Sequence, residues 1–341
     1  MENVKEPVLT ESAVENITKV FGEFDFNSVI KSIVDGKFSP ETDNLINKLV
    51  GLFFGELKAS IAMAGAIVSL VIICAIVNNL QGSFGKNSVS TATHFACFVY
   101  LATITVVAFE KTCGYVFTTL HDMSVLIHSV VPAMAMLYIS GGGVVGSFSH
   151  PVVFFVCSAF SLLIKNVITP LCLLRGATAL LCGIGPGMVM NEFSEIFAKL
   201  HKTLLTLSMT FFVGILGVSR FASNSFDNLA TRGLRFVVTT AVPVVGGSIS
   251  EAMSSVMQSA LLLKNAVGIT TVIMLFAMFV VPMIKIWVVL MLFRITAAVA
   301  APVSENSICT VLKKTSECIE MLFSSVACMG VLMVIAVASL M

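Results

Sequence analysis

Along residues 1–55, apolar positions recur at the spacing of short amphipathic helices. Val14, Ile17, Val20, Phe21 and Phe24 form one stripe, and Phe26, Val29, Ile30, Ile33 and Val34 form a second that ends at Gly36. A third helix is expected to start with Ser39 as N-cap and Pro40 at its first position, then continue through Leu45, Ile46 and Leu49. Each stripe is an apolar face with little core behind it. These helices are therefore expected to lie on a membrane or on a partner.

Beyond Glu56 the periodicity gives way to runs that are apolar all round, long enough for spans of about 20 residues each. Such runs fall near 57–80, 92–109, 123–140, 151–174, 203–219, 267–284, 285–303 and 320–341. The piece 175–190 is short and broken by Gly183, Gly185, Pro186 and Gly187, and 266–303 holds two spans only if Pro282–Lys285 makes a tight turn. The expected fold is an all-α polytopic membrane bundle of seven to nine spans. The loops 220–235 and 304–319 carry Arg220, Arg232, Arg235, Lys313 and Lys314, which favours the cytoplasmic side; both can lie there if two spans separate them and 244–265 does not cross, and the last span would then end outside.

Composition agrees with a membrane protein: of 341 residues, 57% are hydrophobic and only 11% charged, against about a quarter charged in soluble domains. The mean hydropathy is +0.99. Charge is unevenly placed, with ten acidic and five basic side chains in residues 1–56 and nine acidic and fifteen basic in 57–341. The chain is accordingly divided into an acidic, amphipathic extramembrane or interfacial region, 1–55, and a transmembrane helical domain, 56–341. No stripe of Lys and Arg with interleaved aromatics is present, so nucleic acid is not an expected partner. The nine cysteines are odd in number, mostly set in apolar runs and without a CxxC pair, so they read as small packing residues and not as a disulfide framework. The first residues, MENVKEPVLTES, lack the basic-then-apolar pattern of a signal peptide.

One stretch is more polar than its surroundings: VVGGSISEAMSSVMQSALLLKNAVG, residues 244–268. Ser248 and Glu251 form a capping box, and Gly268 can end the helix, giving about 16 residues and roughly 24 Å. Met253, Val256, Met257, Ala260 and Leu261 share one face, and Ser254, Ser255, Gln258 and Ser259 another. A hydroxyl and amide face with a single Lys suits close helix packing, the lining of a wet cavity, or a surface position. Gly246 and Gly247 just before it would allow the helix to re-enter the membrane. The candidate cavity-lining or helix-packing residues are Gly246, Gly247, Ser254, Ser255, Gln258, Ser259, Lys264 and Asn265.

A degenerate internal repeat is also legible. PVV (151–153), LLIKN (162–166), Pro170, Arg175, SE (194–195) and LHKT (200–203) recur in order as PVV (243–245), LLLKN (261–265), Pro282, Arg294, SE (304–305) and LKKT (312–315). The repeat pairs Lys165 with Lys264, and units with an odd number of spans would be inverted in the membrane. Lys165 lies deep in its run and is the candidate intramembrane charge; a mid-membrane charge costs at least ~2.5–3.5 kcal/mol. No acidic residue falls within the expected spans nearby, which argues against proton coupling. Lys285 and Arg294 are expected to snorkel to an interface. His94, His121, His128, His150 and His201 form no HExxH, and no P-loop or nucleotide fingerprint occurs, so no catalytic, metal or cofactor-binding residue is assigned.

VPVVGGSISEAM followed by LLLKNAVG resembles the signature of the stage III sporulation protein AE family, and HSVVPAMAML, HPVVFF and FVGILG are similar to that family as well. The resemblance covers residues 40–341. It implies a polytopic protein of the mother-cell membrane around the forespore. There it would join other stage III sporulation proteins in a channel or secretion-like complex that sustains forespore development after engulfment. The family commonly begins with a secretory signal-like segment, which is not seen here, and the resemblance implies no catalytic residue and no cofactor. Membrane lipid and a second copy of the chain are further expected partners. Two other readings stand beside it: a stand-alone small-solute transporter, and a membrane-embedded enzyme, for which no paired catalytic set is found.

Overall fold

The computed structural model describes the backbone at residues 7, 9–22, 25–37, 42–84, 88–140, 149–182, 188–241, 246–301 and 306–341, with side chains described at all of these but 42–45, 74–75, 77–84, 88–94, 140, 149, 188–190, 222–241, 246–257 and 306–307. The described residues are almost wholly helical: α1 (Glu11–Phe21), α2 (Phe26–Val34), α3 (Thr42–Phe84), α4 (Ser88–Ser140), α5 (Ser149–Leu163), a π turn (Ile164–Ile168), α6 (Thr169–Leu181), α7 (Met188–Ala241), α8 (Gly246–Ala300) and α9 (Asn306–Leu340).

The protein is the all-α polytopic membrane bundle expected, and among the described residues the candidate spans are fewer and longer than expected. Among the described residues, six helical stretches are long and apolar enough to cross a membrane: Ile46–Ile73, Phe95–Ile139, His150–Leu181, Asn191–Phe221, Gln258–Ala300 and Ile308–Leu340. The expected pairs 92–109 with 123–140 and 267–284 with 285–303 each merge into one helix. Pro132 and Pro282 lie inside those helices and turn neither. Proline removes one N–H donor, and in a packed bundle the freed carbonyl can be satisfied locally, so the helix continues. The expected helix ending at Gly268 is likewise only the first part of α8, with no re-entrant break after Gly246. Gly268 is used for packing: a Cβ there would lie 2.5 Å from Met341 Cγ and 3.3 Å from Met134 Cε.

Tyr138 faces Lys264 while Tyr115 faces Lys285, so α4 and α8 run antiparallel. Arg294 faces Glu320 at one end and Gly268 faces Met341 at the other, so α8 and α9 are antiparallel too. α9 is the most buried span and α3 the least. The centre is filled by Phe160, Met274, Phe293, Leu322, Met329 and Leu332, all fully buried. Lipid is as apolar as these side chains, so close packing holds the helices together more than water exclusion does. Buried threonines satisfy their hydroxyls within their own helix: Thr112, Thr270, Thr271 and Thr296 each donate to the carbonyl four residues back.

The first two amphipathic helices form as their stripes predict. Thr10 caps α1 by accepting from the Ala13 N–H, Asp25 caps α2, and Gly36 adopts φ +66° beyond its end. Their buried faces (Ala13, Ile17 and Val20; Phe26 and Ile30) join the main core and pack on α8. The surface they were expected to need is supplied by their own chain. Asp122 of α4, 2% exposed, accepts hydrogen bonds from Thr10 Oγ1 at 2.6 Å and Ser12 Oγ at 2.7 Å, fastening the start of α1 to the bundle. Ser39 and Pro40 lie outside the described residues, and α3 passes through positions 55 and 56 without a break.

Candidate functional site

The polar groups of the bundle gather around α9. Glu317 and Glu320 stand three residues apart, so they share one side of the helix and reach two neighbours. Glu317 Oε2 accepts from Arg175 Nη2 of α6 at 2.5 Å, and Glu320 Oε2 accepts from Arg294 Nη2 of α8 at 2.6 Å. Arg175 is 7% exposed, and its Nη1 also donates to Met321 Sδ at 2.8 Å. One turn further, the buried Ser325 hydroxyl donates to the Met321 carbonyl at 2.9 Å. Having spent its proton there, Ser325 accepts from His201 Nε2 of α7 at 3.0 Å, which fixes the proton on that ring nitrogen. Below Glu317, Lys314 Nζ contacts Cys182 Sγ at 3.2 Å and Asn191. At the C-terminal end, Arg220 Nη1 of α7 donates to the Ala338 carbonyl at 3.0 Å. These contacts tie α6, α7 and α8 to α9 at successive heights.

Sequence reasoning missed this seam because it began the last span at 320 and read 304–319 as a loop. The structure starts α9 at Asn306, and the candidate span begins at Ile308. Ile308, Val311, Leu312, Thr315, Ile319 and Leu322 are buried at helical spacing, a signal present in the sequence. Glu317, Glu320 and Asp122 all fall within candidate spans, so the expected lack of carboxylates there is overturned. Each is already engaged by an arginine or by hydroxyls. Arg294, expected to snorkel, is paired, and Lys285 lies 4.8 Å above the Tyr115 ring.

The residues singled out in the sequence are dispersed. Lys264 is 5% exposed, with Nζ 4.8 Å from the centre of the Tyr138 ring, and that ring packs against His150 at 5.7 Å. Asn265 beside it is half-buried, and its Oδ1 is buried with no hydrogen-bond partner among the described residues. Gln258 and Ser259 are exposed. Gly246, Gly247, Ser254 and Ser255 belong to the α8 backbone, while their side chains lie outside the described residues.

Lys165 stands exposed on the π turn with Asn166 and Val167, and Thr169 Oγ1 donates to the Ile164 carbonyl to close that turn. Lys165 and Lys264, matched by the repeat, thus occupy unlike surroundings. Among the described residues each repeat unit contains two candidate spans, an even number, which lends the inverted arrangement no support. Among the described residues no group of three His, Cys, Asp or Glu side chains is placed to hold a metal ion, and the eight described cysteines are free thiols.

An all-α bundle with several membrane-length helices, clamped by internal ion pairs around one central span, defines a multi-pass membrane protein. The sequence profile described as Stage III sporulation protein AE (spore_III_AE) matches residues 24–341. The chain therefore belongs to the stage III sporulation protein AE family, whose name assigns it to sporulation and not to an enzymatic activity. It is 26% identical over 294 residues to "Stage III sporulation protein AE" of Bacillus subtilis (strain 168), an alignment covering 86% of this chain and 73% of the relative. No solved structure matches it.

Proposed function

We propose that this chain is a non-enzymatic, multi-pass subunit of the channel or secretion-like complex linking mother cell and forespore. It would sit in the mother-cell membrane around the forespore and be needed for forespore development after engulfment. The observation that carries the reading is the family match across almost the whole bundle. The structure supports a scaffold role. Arg175, Glu317, Arg294 and Glu320 are consumed in helix-to-helix clamps around α9, while large apolar side chains such as Phe155, Leu207, Phe211 and Phe221 face outward, where lipid and neighbouring subunits would meet them. Ser254, Ser255, Gln258 and Ser259 remain the proposed helix-packing or cavity-lining face, with Gly246 and Gly247 at its start and Lys264 and Asn265 at its end.

The test is recovery of the tagged chain from sporulating cells after crosslinking in intact membranes. Other stage III sporulation proteins are expected to co-purify with it. Recovery of the chain by itself, together with stabilisation of the purified protein by a small solute, would favour the transporter reading instead.

A further inference from the structure

Where α1 crosses α3 and α8 there is a cavity of about 430 Å³, lined by Lys19, Lys48, Gly51, Gly55, Glu56 and Lys285 among others. Gly51 and Gly55, one turn apart on α3, bring no side chain into the space and leave a smooth floor. The three ammonium groups are not equivalent. Lys19 is held by Glu15 four residues earlier, and the Lys19 ammonium keeps the Glu15 carboxyl below the usual carboxylate range. Lys48 makes no ion pair or hydrogen bond among the described residues, and its Nζ lies 3.5 Å from where a Cβ on Gly22 would stand. Lys285 makes no ion pair or hydrogen bond among the described residues; its Nζ lies 4.8 Å from the centre of the Tyr115 ring, and its charge also acts on the Glu15 carboxyl. With Lys19 paired to Glu15, the lining leaves Lys48 and Lys285 against one carboxylate, Glu56, a net charge of one positive unit.

The surroundings identify the medium. α1 and α2 are amphipathic, the candidate span of α3 starts at Ile46, and Lys48 lies in its first turn. Trp287, the single tryptophan of the chain and two residues from Lys285, packs at 5.4 Å on Phe53, which lies midway between Gly51 and Gly55 on α3. Basic pockets between membrane helices, with Trp and Tyr at their edge, are where lipid headgroups bind.

We propose that this cavity binds the phosphate of an anionic membrane lipid, with Lys48 and Lys285 as its cationic contacts and the Gly51–Gly55 floor admitting the headgroup. A phosphodiester on an uncharged headgroup carries one negative charge and neutralises the cavity. A zwitterionic headgroup does not, and free inorganic phosphate carries a further charge and lacks the acyl chains that would lie along α3.

The test uses the purified full-length chain in neutral detergent, with bound lipid counted by native mass spectrometry. Phosphatidylglycerol, phosphatidylcholine and inorganic phosphate are supplied separately. Phosphatidylglycerol is expected to be retained and phosphatidylcholine not. Lys48→Gln should weaken retention about fivefold, the effect of roughly one near-surface lysine. Glu56→Gln removes the opposing charge and should strengthen it by a similar factor, so the prediction survives even if the lysine variant folds poorly. Equal retention of both lipids, or variants that leave retention unchanged, would overturn the proposal. Inorganic phosphate that raises the melting temperature and displaces phosphatidylglycerol would assign the site to a soluble anion and overturn its lipid source.

Discussion

Glu317→Gln keeps the shape of the side chain while removing its charge, and so isolates the clamp between α6 and α9. For charge centres about 4 Å apart at an effective dielectric constant near 20, the Coulomb attraction is about 4 kcal/mol. Breaking a buried pair costs about 3–5 kcal/mol, because the remaining charge is stranded. The two partners differ here. The Arg175 side chain is 9% exposed and that of Glu317 is 37% exposed. Removing Glu317 strands the buried guanidinium, whose Nε already has no partner among the described residues, and should cost about 3 kcal/mol. Removing the arginine, as Arg175→Met, strands only the more accessible carboxylate and should cost about 1–2 kcal/mol. The double variant should be more stable than the sum of the two losses predicts, by about 2 kcal/mol. Trp287 is the single tryptophan and packs against Phe53, so its fluorescence reports unfolding in a detergent titration. Additive losses, or a Glu317→Gln cost below about 0.5 kcal/mol, would refute a buried clamp.

Three further outcomes are expected. Asp122→Ala removes the acceptor for Thr10 and Ser12, each a charged hydrogen bond of about 1.5–3 kcal/mol, so trypsin should cut at Lys19 and Lys31 faster than in the parent chain; unchanged cleavage would contradict the docking of α1. Gly330→Val puts a branched side chain where a Cβ already stands 3.0 Å from the Phe279 ring, which should destabilise the α8–α9 contact by about 1–3 kcal/mol, measured by the same fluorescence titration; a neutral result would show that Phe279 can move aside. Lys165→Met removes an exposed charge from the middle of a candidate span, so the purified chain should be as stable or more so while recovery of the assembled complex falls; loss of stability with normal assembly would show that the lysine serves its own bundle.

What was legible in the sequence depended on whether the signal was local. α1 and α2 could be read from apolar stripes whose members lie within a few positions of one another and from the end at Gly36, while their caps, Thr10 and Asp25, were not picked out although the signal is equally local. The number of spans was harder to read, because a uniformly apolar run carries no mark of where a helix ends. Pro282 and Gly268 resemble stop signals, yet α8 runs straight through both, and the space beside Gly268 is filled by Met341 and Met134. Lys264 stood out as a cation in an apolar run and is indeed buried, but its partner Tyr138 lies far away in the chain and could not be anticipated. Arg175 and Glu317, 142 positions apart, illustrate the same limit: each is an unremarkable charge until folding sets them 2.5 Å from one another.

The proposed role of this chain is service in the sporulation complex that sustains the forespore. Deleting its gene in the native host and following sporulation by microscopy tests that most directly. Engulfment is expected at normal frequency, followed by arrest with small or collapsing forespores, restored by the full-length gene. Normal, fully developed spores from the deletion strain would contradict it.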